Sequence, residues 1–293
     1  MNFLRKSRWP ARSPGKGLAR IADWAWPLWS EPLQRMPVHV LTGAKHWRMA
    51  AWMLASWFHF SDHGWPVVIH DDGTLPEEAR RELARLFPEL RIILRSEADA
   101  AMAHVLTPFP FCAEFRQAHV LALKIFDTAH FAATPRFLVM DSDVLFFSEP
   151  GEILEWVRAE EDGCRFVEGA QEAALLSATE ARQELGVKLW PRVETGICLL
   201  SKAAIDFDFC DRALAETSLG SSGDRARVER TLFALCASRQ GEPRLLPKGY
   251  ESAQHGLLPR GAIARHYTGA ARSRFDHEGA ERLAPVLLET DGR

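Results

Sequence analysis

The apolar and polar positions from residue 37 onward alternate between short strand-like runs and longer helical stretches. Strands are predicted at Val38–Leu41, Pro66–His70, Arg91–Leu94, Phe137–Met140, 198–200, 244–246 and 262–264. Helices are predicted at 45–61, 114–132, 149–161, 204–217 and 226–239, with Thr74 as the expected cap of one more. This alternation predicts βαβ units in an α/β domain with a mainly parallel mixed sheet, whose ligands bind at the carboxyl ends of the strands.

We expect one large domain with a distinct segment at each end. Residues 1–36 form a basic arm that carries several Trp residues, residues 37–275 form the α/β domain, and residues 276–293 form a C-terminal tail or helix. Two interpretations of the arm are open. One is partly disordered chain that docks its Trp side chains on the domain; the other is peripheral contact of residues 1–30 with an anionic membrane surface.

Composition narrows the classes of partner and compartment. A net charge of −3 over 293 residues gives no electrostatic reason to expect nucleic acid as a partner. The five cysteines are scattered and never spaced as C-x-x-C, which argues against a Cys-based zinc site and favours a reducing compartment. The longest apolar stretch, Met49–Phe60, is too short to span a bilayer of about 30 Å, and the N-terminus lacks a secretory-signal pattern. We therefore expect a cytoplasmic protein, at the inner face of the membrane if residues 1–30 bind it.

The most informative segment is the acidic pair Asp141-Ser142-Asp143, which follows the apolar strand run that ends at Met140. Side chains two positions apart in an extended chain point the same way, so the two carboxylates can converge on one ligand. Carboxylates held so close repel each other unless a cation lies between them, and Mg²⁺ and Mn²⁺ prefer oxygen ligands. The alternative is a plain turn in which one Asp accepts backbone hydrogen bonds and the other is solvated. Because an apolar run resumes at Val144, the metal site is the favoured interpretation.

This segment resembles the D-x-D motif of glycosyltransferases with the GT-A fold, above all the glycogenin-like and galactosyltransferase-like family 8 or a sister branch. Other elements follow in family order: Thr42-Gly43 resembles the start of the nucleotide pocket, and Glu194-Thr195-Gly196-Ile197 the loop that lines the donor sugar. His266-x-x-Gly269-x-x-Arg272 resembles the His-x-x-Gly-x-x-Lys element.

The resemblance implies a role for each matched residue. The metal, Mn²⁺ or Mg²⁺, would be held by Asp141, Asp143 and His266. The donor would be bound by Thr42, Gly43, Asp71, Lys124, Ser142, Thr195, Gly196, Gly269 and Arg272. Asp71 enters because the turn Asp71-Asp72-Gly73 ends a strand at the same sheet edge, although a plain turn explains it equally well. Arg274 is a nearby alternative to Arg272.

Two departures from the family pattern concern the sugar pocket. Glu194 stands where the family has Asn, so it is either a catalytic carboxylate, beside Asp143, or the sign of a diverged pocket. The family's Asp-Gln element has two candidate counterparts, Asp224-Arg225 and Glu229-Arg230.

The sequence thus predicts a metal-dependent glycosyltransferase that moves a hexose from a nucleotide sugar, expected to be a UDP-sugar, to a hydroxyl acceptor. The resemblance to family 8 implies retention of anomeric configuration. The acceptor is a glycan, a lipid-linked saccharide or a protein. Two alternatives stay open: a nucleotidyltransferase, and a non-catalytic relative that binds a carbohydrate or a partner.

Overall fold

The computed structural model describes residues 36–87, 89–159, 163–169, 174–252 and 256–288. Apart from Met36, the predicted arm of residues 1–36 lies outside the described residues, and so does the predicted membrane contact of residues 1–30. Within the described ranges no helix combines the length and apolar character needed to cross a membrane.

Strands and helices alternate along the first half of the domain, as the sequence pattern predicts. The strands, in chain order, are β1 (Val38–Thr42), β2 (Val67–Asp71), β3 (Leu90–Ile93), β4 (Arg136–Met140), β5 (Val144–Phe146), β6 (Arg165–Glu168), β7 (Val193–Ser201), β8 (Arg244–Leu245), β9 (Tyr250–Ser252) and β10 (Ala264–His266). The α-helices are α1 (Trp47–Ser61), α2 (Glu77–Leu86), α3 (Arg95–Val105), α4 (Pro110–Ala118), α5 (Ala122–Phe131), α6 (Gly151–Arg158), α7 (Ala178–Leu185), α8 (Phe207–Glu216), α9 (Arg225–Arg239) and α10 (Glu281–Leu288).

The main sheet has the strand order β3-β2-β1-β4-β7-β6-β8. Strands β3, β2, β1 and β4 run parallel, β7 is antiparallel to both of its neighbours, and β6 pairs in parallel with β8. A second sheet has the order β5-β10-β9. The predicted α/β class and mainly parallel mixed sheet are therefore confirmed.

Strand β4 is buried on both faces, which explains why Phe137–Met140, all of it after Arg136, is apolar. Leu138 and Met140 pack into an apolar cluster that contains α1, while Phe137 and Val139 pack into a cluster on the other face that contains parts of α5 and α9. The next residues along the chain therefore leave the strand in the middle of the fold, at the carboxyl edge of the parallel strands.

Three details of the predicted elements are wrong. The helix predicted at 114–132 is two helices, α4 and α5, because the extended backbone of His119 ends α4 and its Nδ1 accepts the Leu121 N–H at 3.3 Å. Thr74 caps no helix, since its hydroxyl donates to Asp72 Oδ1 and accepts the Ala44 N–H. The strand expected at 262–264 lies at Ala264–His266, where pairing with β5 sets its position.

Candidate metal centre

The acidic pair lies in the short connection between β4 and β5. The Asp141 N–H donates to the Gly196 carbonyl at 2.9 Å, which ties the end of β4 to β7. Strand β5 pairs antiparallel with β10, and this register sets His266 opposite Val144. The Tyr267 N–H then donates to the Asp143 carbonyl at 2.8 Å. Backbone hydrogen bonds alone thus bring His266 to the acidic pair.

The structure brings together the three predicted metal ligands. His266 Nε2 lies 3.1 Å from Asp143 Oδ1 and 3.4 Å from Asp141 Oδ2, and one ligand atom from each of the three residues lies within 4.8 Å of the others. Asp143 and His266 are buried, and Asp141 is partly exposed. One side of the cluster is therefore enclosed by protein while the other is open to a ligand.

Gly196 makes room for the imidazole. A Cβ built at Gly196 would collide with the ring of His266, so a residue with a side chain at this position would displace the ring or the strand. A glycine is therefore needed at position 196 because the His266 ring occupies the space of a Cβ.

The charges of this cluster act on one another strongly. Burial alone would lower the pKa of His266, but the negative charge of Asp143 and its hydrogen bond, with further contributions from Asp141 and Glu194, hold that pKa above its ordinary value. Burial alone would raise the pKa of Asp143, yet His266 and Arg272 hold it well below its ordinary value. The site thus concentrates negative charge that attracts cations.

Lys124 is a buried cation at the centre of a second group of carboxylates. Its Nζ lies 2.8 Å from Asp141 Oδ1 and 3.1 Å from Glu229 Oε1, and it donates to the Thr195 carbonyl at 2.9 Å. Burial opposes its charge, but Asp141 and Glu229 raise the pKa of Lys124 above its ordinary value. Lys124 is therefore protonated and fixes one carboxylate of the acidic pair.

Arg272 reaches the other carboxylate from the exposed side. Its Nε and Nη2 lie 2.8 and 2.7 Å from Asp143 Oδ2, and its side chain is 45% exposed. Arg274 contacts Glu278 and the Gly256 carbonyl instead. Gly269 has a positive φ of 56°, and a Cβ there would meet open space, so its need for glycine is conformational.

Glu194 lies in β7 beside the cluster, buried, with partners for both oxygens. Oε1 accepts the Thr195 N–H at 3.3 Å and lies 3.4 Å from Arg230 Nε, while Oε2 accepts the Ser252 hydroxyl at 3.3 Å. The Thr195 hydroxyl donates to Glu229 at 3.2 Å. Glu194 and Thr195 thus belong to one polar network with the metal ligands.

The predicted nucleotide-binding residues lie at the neighbouring strand ends. A Cβ at Gly43 would collide with the Asp72 carboxylate, so this glycine lets two strand ends approach. Asp71 Oδ1 accepts the N–H groups of Gly73 and Leu75, which is the plain-turn role. Ser142, which lies between the two ligand residues in the sequence, is buried, and Thr42 is buried at the end of β1.

Sequence reasoning did not assign a role to several residues of this site. Glu229 was only a candidate family counterpart, and nothing in its Arg-rich surroundings indicates that it is buried against Lys124. His46 was not predicted, although Arg272 and Asp143 both influence its pKa, which burial lowers. The sequence signal for it is that His46 comes three residues after Thr42-Gly43, the predicted nucleotide-pocket segment.

The donor set fits a hard divalent cation. Two carboxylates and one imidazole nitrogen match the oxygen-rich shell of Mn²⁺ or Mg²⁺. His266 Nε2 and Asp143 Oδ1 already lie 3.1 Å apart, so both atoms face the space between the ligands. His266 Nδ1, on the far side of the ring, has no hydrogen-bond partner among the described residues. The ring is therefore held by its carboxylate contacts and by packing.

Solved structures with similar backbones are glycosyltransferases. The galactosyltransferase LgtC in complex with donor and acceptor sugar analogs has a TM-score of 0.53 at 12% identity, covering 88% of this chain and 98% of that one. Mouse xyloside xylosyltransferase 1 has a TM-score of 0.50 at 12% identity, covering 79% and 96%. The bifunctional glycosyltransferase WbbM has a TM-score of 0.55 at 12% identity, covering 83% of this chain and 47% of that one.

No protein-family model matches the sequence, and no curated sequence is significantly similar to it. The structural similarity establishes the fold: this chain has the GT-A fold, and it resembles a family 8 member, LgtC.

Proposed function

We propose that this protein is a metal-dependent glycosyltransferase that moves a hexose from a nucleotide sugar, with a UDP-sugar as the expected donor, to a hydroxyl acceptor with retention of configuration. The observation that carries the proposal is the convergence of Asp141, Asp143 and His266 at the carboxyl edge of a GT-A sheet. An acceptor hydroxyl on a glycan, a lipid-linked saccharide or a protein is consistent with this proposal.

Asp141, Asp143 and His266 would hold Mn²⁺ or Mg²⁺. When bound, such an ion supplies positive charge that stabilises the departing nucleoside diphosphate, the main electrostatic demand of glycosyl transfer. Lys124 keeps Asp141 in place from the buried side, because its Nζ is fixed by Glu229 and Thr195 as well.

Arg272 is the group that we assign to the diphosphate. Its side chain is half exposed and pairs with Asp143 from the open side. The guanidinium can therefore turn from the carboxylate to phosphate oxygens without a change in the backbone. Gly269, three residues earlier, has a left-handed backbone conformation and no Cβ, so a phosphate could approach its backbone closely.

Glu194 lies beside the metal ligands, where Arg230 offsets its charge and the Ser252 hydroxyl donates to its other oxygen. We assign it to the donor-sugar pocket, where it would accept a hydrogen bond from a sugar hydroxyl. A retaining transfer by front-side attack needs no separate base, so this assignment leaves Asp143 as a ligand and places no proton transfer on Glu194.

The proposal is tested by donor hydrolysis and binding. Purified protein is incubated with UDP-, GDP- and CMP-sugars and Mn²⁺, and release of the nucleotide is measured with and without EDTA. We expect Mn²⁺-dependent release from a UDP-sugar that Asp143→Asn lowers by about 100-fold or more, because removing one electrostatic stabiliser from such a site has effects of that size.

The matched control is Glu155→Gln, which removes a carboxylate from the exposed face of α6. Its activity should equal that of the original protein, and a thermal melt of each variant shows whether it is folded. Should no UDP-sugar bind, or should binding be indifferent to EDTA and to Asp143→Asn, the proposal is wrong. Release of pyrophosphate from a nucleoside triphosphate would indicate a nucleotidyltransferase instead.

A further inference from the structure

A cleft of about 400 Å³ lies between α4 and α8, next to the first residue of α9. Phe111 and Phe115 line it from α4, Leu214 lines it from α8, and Arg225 closes it from α9. Phe111 is 43% exposed, an unusual amount for a large apolar ring, whereas Phe115 is buried. The cleft volume is in the range of small-molecule sites, which is about 300–1,000 Å³.

Two helices connect the cleft to the buried residues that contact Asp141 of the metal centre. Arg225 begins α9, and Glu229, one turn further on, contacts Lys124. At a rise of about 1.5 Å per residue these two positions are about 6 Å apart along the helix. On the other side, the Phe115 ring stacks on His119, with centroids 6.4 Å apart, and α5 with Lys124 begins three residues later. The cleft is thus connected through α9 and the α4–α5 connection to Glu229 and Lys124, the buried pair that contacts Asp141.

The groups around the cleft suit a neutral ligand that carries many hydroxyls. Phe111 offers an exposed aromatic face, and such faces pack against the C–H side of a sugar ring. Glu114 and Arg225 supply an acceptor and a donor, and the Arg225 guanidinium is oriented by the Gly220 carbonyl at 3.1 Å and by the Phe115 ring.

Other ligand classes fit this lining less well. A simple anion would be attracted by Arg225 and repelled by Glu114, and a simple cation the reverse, so the lining gives neither a net advantage. A purely apolar chain would remove both charges from water without giving them hydrogen bonds, which is unfavourable. A sugar unit satisfies the aromatic face and the two charged groups together.

We propose that this cleft, defined by Phe111, Glu114, Phe115 and Arg225, binds a neutral sugar unit of the acceptor. The inference rests on the proposed glycosyltransferase function, and it narrows the acceptor to a saccharide. It assigns Phe111 as the stacking platform and Arg225 as the residue that orients the sugar hydroxyls.

The test is direct saccharide binding, measured without metal or nucleotide. Saturation-transfer NMR is recorded on the full chain with lactose, maltose, cellobiose, chitobiose and N-acetyllactosamine at millimolar concentration. We expect at least one disaccharide to bind, and Phe111→Ala to weaken it about tenfold, the equivalent of about 1.4 kcal/mol from one aromatic contact.

Two further variants separate this result from the donor site. Val120→Ala truncates another exposed apolar side chain near α4, one that does not line the cleft, and should bind the saccharide normally. Asp143→Asn should also keep saccharide binding, since the cleft contains no metal ligand. If a disaccharide binds in the cleft but no donor is hydrolysed, the transferase proposal is wrong. The cleft is then still a carbohydrate-binding site.

Two results would overturn the inference. One is that none of the five disaccharides binds. The other is binding that Phe111→Ala leaves unchanged while Asp143→Asn abolishes it, because the saccharide would then occupy the donor pocket. A second cleft variant, Arg225→Gln, provides the same readout if Phe111→Ala does not fold.

Discussion

Two groups of buried histidines in this protein have opposite protonation behaviour. His266, at the end of β10, has its pKa raised by Asp143 and Asp141 in spite of burial. His39 and His70, on neighbouring strands of the main sheet, have theirs lowered by burial, and for His70 the pKa falls to about 3. Burial lowers the pKa of all three imidazoles, and only at His266 do neighbouring carboxylates overcome it.

The difference in pKa follows from the groups that surround each imidazole. His39 and His70 face each other at 2.8 Å, with Phe137 and Phe131 as ring neighbours, and the nearby charges are the cations Arg91 and Lys202. This pair, which we call the sheet histidine pair, suits neutral rings in the core. The metal centre instead places the carboxylates of Asp141 and Asp143 next to Lys124 and Arg272, so charged groups are stabilised there.

The largest expected loss of unfolding free energy comes from removing Lys124, the buried cation of the metal centre. Lys124→Met leaves the carboxylates of Asp141 and Glu229 without their shared partner, and breaking such a buried pair costs about 3–5 kcal/mol of unfolding free energy. Urea denaturation measures this change. The double variant Lys124→Met/Glu229→Gln should recover part of the loss, because one of the two unpaired charges is gone.

Lys202→Met is the matched control for that experiment. Lys202 is exposed and donates to the Ala132 carbonyl, so its substitution should cost less than about 1 kcal/mol. Equal destabilisation by both Lys substitutions would show that the buried network of Lys124 contributes no more than a surface contact.

The sheet histidine pair predicts loss of stability in mild acid. The unfolded chain has ordinary histidine pKa values near 6.5 and the folded chain lower ones, so the unfolded state binds more protons below pH 6.5. The contribution of the pair to the unfolding free energy is therefore fully present above pH 6.5. It is lost as the pH falls below 6.5, down to about 3 for His70, by up to about 1.4 kcal/mol per pH unit for each histidine.

This slope is measured by urea denaturation between pH 7.5 and 5, a window chosen to bracket the ordinary histidine pKa of about 6.5. The variant His39→Leu/His70→Leu should flatten it, whereas His104→Gln, which changes an exposed histidine on α3, should not. An unchanged slope in the double variant would show that the pair is not the source of the acid sensitivity.

The smallest effect on stability is expected at the exposed cation of the metal centre. Arg272→Gln removes a guanidinium that is half exposed, and the buried Asp143 keeps His266 as a partner, so we expect a loss of at most about 1 kcal/mol of unfolding free energy. If Arg272 contacts the donor diphosphate, the same variant should weaken UDP binding in Mn²⁺ by about tenfold, as judged by calorimetry. Arg274→Gln is the control, since Arg274 contacts Glu278; weaker binding in that variant alone would transfer the role to Arg274.

Local patterns were sufficient to predict the first half of the sheet. Strands β1, β2 and β4 are mostly apolar and buried on both faces, with His39 and His70 as buried polar residues in β1 and β2. The acidic pair comes where β4 leaves the core. The ligand role predicted for His266 came from its spacing to Gly269 and from family resemblance. The strand β10 that places it is only three residues long, and its position depends on pairing with β5.

The partners of the metal ligands were harder to predict, because they depend on contacts between distant segments. Glu229 lies in the Arg-rich first part of α9, which by composition indicates a solvated face, yet packing against β7 buries it beside Lys124. Helical periodicity also runs through His119, so the break between α4 and α5 was not visible. That break depends on one side chain accepting a backbone N–H.

The pairing of β5 with β10 also has a consequence for the order in which this protein assembles. Asp143 and Arg272 are 129 positions apart, so the acidic pair leaves the ribosome long before the segment that completes its site. Contacts of such long range form late in folding. Until then Lys124 is the only one of these cations early enough in the chain to offset the two carboxylates. A metal ion bound by all three ligands therefore reports that the amino-terminal and carboxy-terminal parts of the domain have joined.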